Sequence, residues 1–181
     1  MTTASKVTIA RILLIPLFMA AGLLNFPHSD LIALCLFILA SATDWLDGYI
    51  ARRYDQITNF GKFMDPLADK LLVTSAMLLF VQWGRMSAWV LMVVLAREFA
   101  VSGLRMMAAA KGDVIAAAKS GKLKTVVTIL GLCFMLATTC AGTLLPHMAI
   151  ADTIVIVAIL VVTVYSGLEY FAKNLKVLEE K

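Results

Sequence analysis

Six uncharged runs, residues 12–29, 31–43, 71–84, 86–96, 125–151 and 153–168, take up most of the chain and leave little polar sequence between them. Crossing the hydrocarbon core of a bilayer takes about 20 helical residues, and several of these runs are too short alone. The second spans only if it continues from about Leu31 through Asp44 and Asp47 to Ala51. The third has to start near Asp65 and reach about Trp83. The fourth, from about Met86, has to take in Arg97 and Glu98 and reach about Arg105. The pattern predicts an all-α membrane protein of six transmembrane helices with an N-terminal juxtamembrane segment, three of the helices carrying ionisable residues.

Composition agrees. Hydrophobic side chains make up 61% of the residues and charged ones 15%, with a mean hydropathy of +0.90, well away from a soluble domain. The connections are too short to fold separately, so residues 1–181 are expected to form one domain. The net charge is +4, but the basic residues lie beside apolar runs with no soluble module to present them. Anionic lipid headgroups or phosphate, not nucleic acid, are the expected partners. Cys35, Cys133 and Cys140 fall inside apolar runs without metal-ligand spacing and read as reduced packing residues. Met1 to Lys6 offers a single lysine and no small-residue cleavage site, so a removable signal peptide is not expected.

Lys6, Arg52, Arg53, Lys62, Lys111, Lys119, Lys122, Lys124, Lys173 and Lys176 fall on one side of a six-span arrangement, and Arg85 is the only basic residue on the other. Cytoplasmic flanks collect Lys and Arg, which puts both termini in the cytoplasm of a multi-pass cell-membrane protein. Asp44 then lies roughly 12 Å along its helix from Arg52, at headgroup and upper acyl depth. Trp83 and Trp89 read as interfacial belt residues. His28 and His147 belong to the opposite side, away from any chemistry.

The expensive feature is a set of carboxylates. Asp44 and Asp47 share a helix face with Ala51, with Gly48 beside them, and Asp65 and Asp69 share another at four-residue spacing. The short connection from Arg53 to Met64 makes the two helices antiparallel neighbours whose acidic ends meet on the cytoplasmic side. Converging carboxylates raise one another's pKa, so something positive has to sit between them. All-oxygen ligation suits Mg²⁺ or Mn²⁺, and four carboxylates can bridge two such ions. Gly48 and Ala51 leave room for a ligand against the backbone, and Gly61 allows a tight approach to the third helix. Pro66 fits a first helical turn. Arg52 offers a planar fork for phosphate. Helix caps with packing glycines are the bland alternative; a divalent-cation transporter is the more serious one.

A second basic zone follows. Glu98 and Arg105 are seven residues apart on one face, where they can pair, while Arg97 faces elsewhere. With Lys119 and Lys122 one turn apart, these cations suit a ligand that carries phosphate. Lys111, Lys119 and Lys124 singly read as ordinary flanking charge. Thr8 and Arg11 share a face near the cytoplasmic surface and can reach a bound phosphate; capping by Thr8 and snorkelling by Arg11 fit equally well.

At these residues the chain resembles the CDP-alcohol phosphotransferase family, whose signature is D-x-x-D-G-x-x-A-R, eight residues, then G-x-x-x-D-x-x-x-D. Asp44, Asp47, Gly48, Ala51, Arg52, Gly61, Asp65 and Asp69 fill every fixed position. The resemblance implies a polytopic, homodimeric enzyme that moves a phosphatidyl or similar group from a CDP-linked donor to an alcohol and releases CMP. It implies that Asp44, Asp47, Asp65 and Asp69 ligate two divalent cations, with Asp69 also the catalytic base. It implies that Asp47, Gly48, Ala51, Arg52 and Gly61 form the nucleotide and pyrophosphate site. The run from Ala96 to Arg105, with Lys111-Gly112 and Gly121-Lys122-Leu123-Lys124-Thr125, is similar to the branch acting on CDP-diacylglycerol and sn-glycerol 3-phosphate. That likeness makes Thr8, Arg11, Arg105 and Lys122 the candidates for acceptor phosphate. Inositol phosphate, serine or phosphatidylglycerol are the alternative acceptors within the family, and a purely structural membrane subunit is a further alternative.

Overall fold

The computed structural model describes the backbone of residues 3–24, 26–53, 59–112, 118–140 and 146–174, and the side chains of 8–24, 26–43, 64–112, 118–140 and 149–174. Among these residues the chain forms six helices: α1 Thr3–Leu23, α2 Ser29–Arg53, α3 Asn59–Gln82, α4 Ala88–Ala110, α5 Lys119–Cys140 and α6 Pro146–Lys173. Two of them, over Lys119–Cys140 and Ala149–Lys173, are long and apolar enough to cross a membrane. Within the described residues α1 and α2 contribute the shorter apolar stretches Thr8–Leu23 and Ser29–Thr43, and charges interrupt α4 at Arg97, Glu98 and Arg105.

Helix boundaries depart from the apolar runs in an instructive way. A run marks where the bilayer begins, whereas a helix continues into the polar interface. So α3 starts at Asn59 and not near Asp65, and Pro66 lies inside the helix. The expectation that Pro66 occupies a first turn is therefore wrong, and one bond of the backbone ladder is missing there. Gly61 likewise lies within α3, not before it. The uncharged run 125–151 holds the end of α5 and the start of α6, which opens on Pro146, where a missing N–H costs nothing. Ser87 caps α4, its hydroxyl accepting from the backbone of Trp89 at 3.3 Å.

Each helix buries one stripe. In α1 it runs through Thr8, Arg11, Ile15, Phe18 and Ala21, spaced by three or four residues; in α5 it runs through Lys124, Thr128, Leu132 and Leu136. The first stripe packs on α2 and α3, while α5 lies against α6 and α2 and α4 lies against α6. Close approach is built into the sequence at Gly131, where a Cβ would stand 2.7 Å from Val155 of α6. The interior also holds Arg11, Lys124 and Asp152, while Leu17, Leu39, Trp89, Phe99, Leu130 and Ile154 face outward. That distribution inverts the soluble pattern.

Because the helices alternate in direction, the N-terminal ends of α1, α3 and α5 share one end of the bundle with the C-terminal ends of α2, α4 and α6. The opposite end is pinned by side chains. Trp83 Nε1 donates to the carbonyl of Gly22 at 3.2 Å. Gly84, at φ +69°, turns the chain between α3 and α4, and Arg85 enters the bundle there. Arg85 forms a two-pronged bond to Asp152 of α6, Nε to Oδ2 at 2.8 Å and Nη2 to Oδ1 at 2.7 Å. The same guanidinium donates to Met135 O at 3.0 Å, to Thr138 at 2.7 Å and to Thr139.

Candidate active site

Asp65 and Asp69 stand one turn apart on α3, both half-buried, at the end of the bundle where the sequence placed them. The helical part of α2 carries Asp44, Asp47, Gly48, Ala51 and Arg52 on its last turns, and the side chains of those residues lie outside the described residues, as does that of Lys62 beside Gly61. Among the described residues no three His, Cys, Asp or Glu side chains gather. Asp65 and Asp69 still suit a hard divalent cation, since carboxylate oxygens are the donors such ions take.

A residue of α1 joins this group. Thr8 donates its hydroxyl to Asp65 Oδ1 at 2.6 Å, and Thr8 and Arg11 are both fully buried on the face that α1 turns toward α2 and α3. Neither snorkelling by Arg11 nor capping by Thr8 fits that burial. Thr8 instead fixes the orientation of a carboxylate.

Beyond Asp69 a cavity of about 390 Å³ opens between α3, α4 and α5. Its polar end is formed by Asp69, Lys70, Glu98, Lys124 and Thr125, and its wall by apolar residues such as Leu71, Val94 and Phe99. Glu98 is the centre of that polar end. Its Oε1 accepts from Lys124 Nζ at 2.7 Å and from Arg97 Nη1 at 2.9 Å, and its Oε2 lies 3.9 Å from Lys70 Nζ. Lys70 also donates to Ser102. Sequence spacing had offered Arg105 as the partner of Glu98. Arg105 turns the other way, donating from Nε to Tyr170 Oη at 3.0 Å with its guanidinium 5.4 Å from that ring. Contacts between helices outrank the seven-residue register within one, because Lys124 of α5 faces Glu98 directly.

Residues 1–165 match the profile of one protein family, described as CDP-alcohol phosphatidyltransferase. The chain belongs to that family. Like other CDP-alcohol phosphatidyltransferases it is an enzyme and a membrane protein. It is similar to a CDP-diacylglycerol–glycerol-3-phosphate 3-phosphatidyltransferase of Bacillus subtilis (strain 168), 44% identical over 97% of this chain and 96% of that protein. Proteins of the same description from Rickettsia felis, 34% identical over 91% of this chain and 90% of theirs, and from Haemophilus influenzae, 36% identical over 90% and 88%, match as well.

Against the candidates for acceptor phosphate, the family member described here divides the set. Thr8 bonds to Asp65, Arg11 is buried on the same face of α1, Arg105 stacks on Tyr170, and Lys122 is exposed on the first turn of α5. Sequence reading passed over Lys70 and took Lys124 for ordinary flanking charge. The available signal was position: Lys70 follows the last motif aspartate, and Lys124 begins the buried stripe of α5.

Proposed function

We propose that this chain transfers the phosphatidyl group of CDP-diacylglycerol to sn-glycerol 3-phosphate, giving phosphatidylglycerophosphate and CMP. The observation that carries this reading is the near full-length match to a protein of that description at 44% identity, together with an unbroken eight-position motif. All six helices cross the bilayer as one domain over residues 1–181. The shortest has 21 residues, about 32 Å at 1.5 Å per residue, against a hydrocarbon core of about 30 Å. The basic flanks favour cytoplasmic termini and a site opening to the cytoplasm. Family likeness supports a homodimer.

Asp44, Asp47, Asp65 and Asp69 hold two divalent cations, Mg²⁺ or Mn²⁺. When bound, these ions neutralise charge on the pyrophosphate of the donor. Gly48, Ala51 and Gly61 give the nucleotide room against the backbone, and Arg52 takes its phosphate in a planar fork. Asp69 accepts the proton of the acceptor hydroxyl as that oxygen attacks the phosphorus bearing diacylglycerol and CMP leaves. Lys70 and Lys124, beside Asp69 on the cavity wall, and Arg97, bonded to Glu98 behind them, supply positive charge for the acceptor's phosphate; Arg105 and Lys122 add to the field at the same end of the bundle.

The test is CMP release by the purified protein with CDP-diacylglycerol and either cation, supplying glycerol 3-phosphate, serine, inositol phosphate and phosphatidylglycerol one at a time. Release that depends on glycerol 3-phosphate is the expected outcome. Release with another acceptor keeps the family and replaces the acceptor; cation flux in liposomes with no release at all favours transport. A second measurement concerns Thr8. Thr8→Val removes the bond to Asp65 and is expected to raise the cation concentration for half-maximal activity about tenfold, as losses around metal ligands do. If the KM for glycerol 3-phosphate rises in its place, Thr8 belongs to the acceptor site after all.

A further inference from the structure

Three cations from three helices converge on the carboxylate of Glu98: Lys70 from α3, Arg97 from α4 itself and Lys124 from α5. The side chains of Arg97 and Lys124 are 13% and 7% exposed, so water screens them little. One carboxylate among three cations leaves a surplus of two positive charges, which matches a phosphomonoester dianion. Arg97 is held on more than one side. A Cβ on Gly167 of α6 would lie 3.1 Å from its Cγ, tighter than ordinary contact, so that glycine leaves room for the side chain, while Gly121 of α5 packs beside its Nη2. Its Nε is buried without a hydrogen-bond partner among the described residues, a donor available to a further acceptor atom.

We propose that Glu98 is a positioning residue for the phosphate of the acceptor: on the cavity wall next to Asp69 its carboxylate fixes Lys124 of the same wall, with Arg97 held beside it. This rests on the reading that the acceptor carries a phosphate. Both cations donate to the same oxygen, at 2.7 and 2.9 Å, so one anchor sets the spacing between them. Glu98 itself does not touch the anion. Charge counting alone makes the opposite prediction, because deleting a negative charge near an anion site tightens anion binding. A positioning role predicts weaker binding, since Lys124 and Arg97 then separate under their mutual repulsion.

The sign of the change is therefore the test. Binding of inorganic phosphate to the purified full chain in detergent is measured by calorimetry, alongside KM for glycerol 3-phosphate, KM for CDP-diacylglycerol and kcat. Glu98→Gln is expected to weaken phosphate binding and raise the acceptor KM about tenfold, the scale of one charge-assisted hydrogen bond. The KM for CDP-diacylglycerol stays near that of the unsubstituted protein, and Glu98→Asp recovers part of the loss. Unpaired buried Lys124 strains folding, so Glu98→Gln with Lys124→Met removes both charges together. That pair is expected to bind CDP-diacylglycerol normally and phosphate poorly. Phosphate affinity that is unchanged or increased in Glu98→Gln, or normal in the paired variant, overturns the proposal, as does an equal loss for both substrates. A chain whose phosphate affinity depends on Glu98 but which turns over a different acceptor keeps this inference and discards the choice of glycerol 3-phosphate. Failure to bind inorganic phosphate, with an acceptor KM indifferent to Glu98, overturns the inference while leaving the family reaction intact.

Discussion

Asp69→Asn is expected to lower kcat by about three orders of magnitude, within the range over which a positioned general base acts, while CDP-diacylglycerol still binds. The change keeps the shape of the side chain and one acceptor oxygen but removes the charge that takes the proton. Asp69 stands at the junction of the α3 carboxylates and the cavity wall that carries Lys70, Glu98 and Lys124, where an acceptor hydroxyl and its phosphate would sit together. Its place as a proposed cation ligand gives the experiment a second axis. If raising the Mg²⁺ or Mn²⁺ concentration restores turnover, Asp69 contributes ligation and the proton goes elsewhere. If turnover stays low at saturating cation and donor binding is unchanged, the base assignment stands. Turnover like that of the unsubstituted protein removes Asp69 from the chemistry altogether.

The second large effect is on stability, at the far end of the bundle. Arg85 and Asp152 are 11% and 9% exposed in their side chains and bonded at 2.7 Å, and Arg85 also lies 5.5 Å from the ring of Phe80. Arg85→Ala or Asp152→Ala leaves the other charge buried without its partner, which costs about 3–5 kcal/mol. Thermal unfolding in detergent should show that loss in both single variants, with the KM values of any protein that remains folded unchanged. Replacing both, Arg85→Met with Asp152→Leu, is expected to recover most of it. Thr138 and Thr139 do not become orphans in that variant, because each already donates to Met135 O, at 2.8 and 2.9 Å. Single variants that unfold like the parent would show that the pair contributes little.

These two sites differ in how readable they were. The motif aspartates stood out in the sequence because carboxylates in an apolar chain are costly and fall at helical spacing. The Arg85–Asp152 pair was equally available and was missed. Asp152 is the only charged residue between Lys124 and Glu169, and Arg85 the only one between Lys70 and Arg97. A lone buried charge needs a partner, and only one was on offer. The charges around Glu98 were less readable. Glu98 lies one residue from Arg97 and seven from Arg105, but it is bonded most closely by a lysine from another helix.

The amino-acid order alone determined that the chain is helical and suited to a membrane, since the length and composition of apolar runs act locally through helix periodicity and solvent transfer. It also determined the motif, because four carboxylates at three- and four-residue spacing are a property of single helices. Only the tertiary structure decided which helix faces which. It turned Thr8 from a surface candidate into a donor to Asp65, gave Arg105 to Tyr170, and set Lys124 against Glu98 at the end of a cavity. Each of those contacts joins residues from different helices, and the forces that choose among them are packing and buried charge pairing. Spacing along one helix carries no information about either.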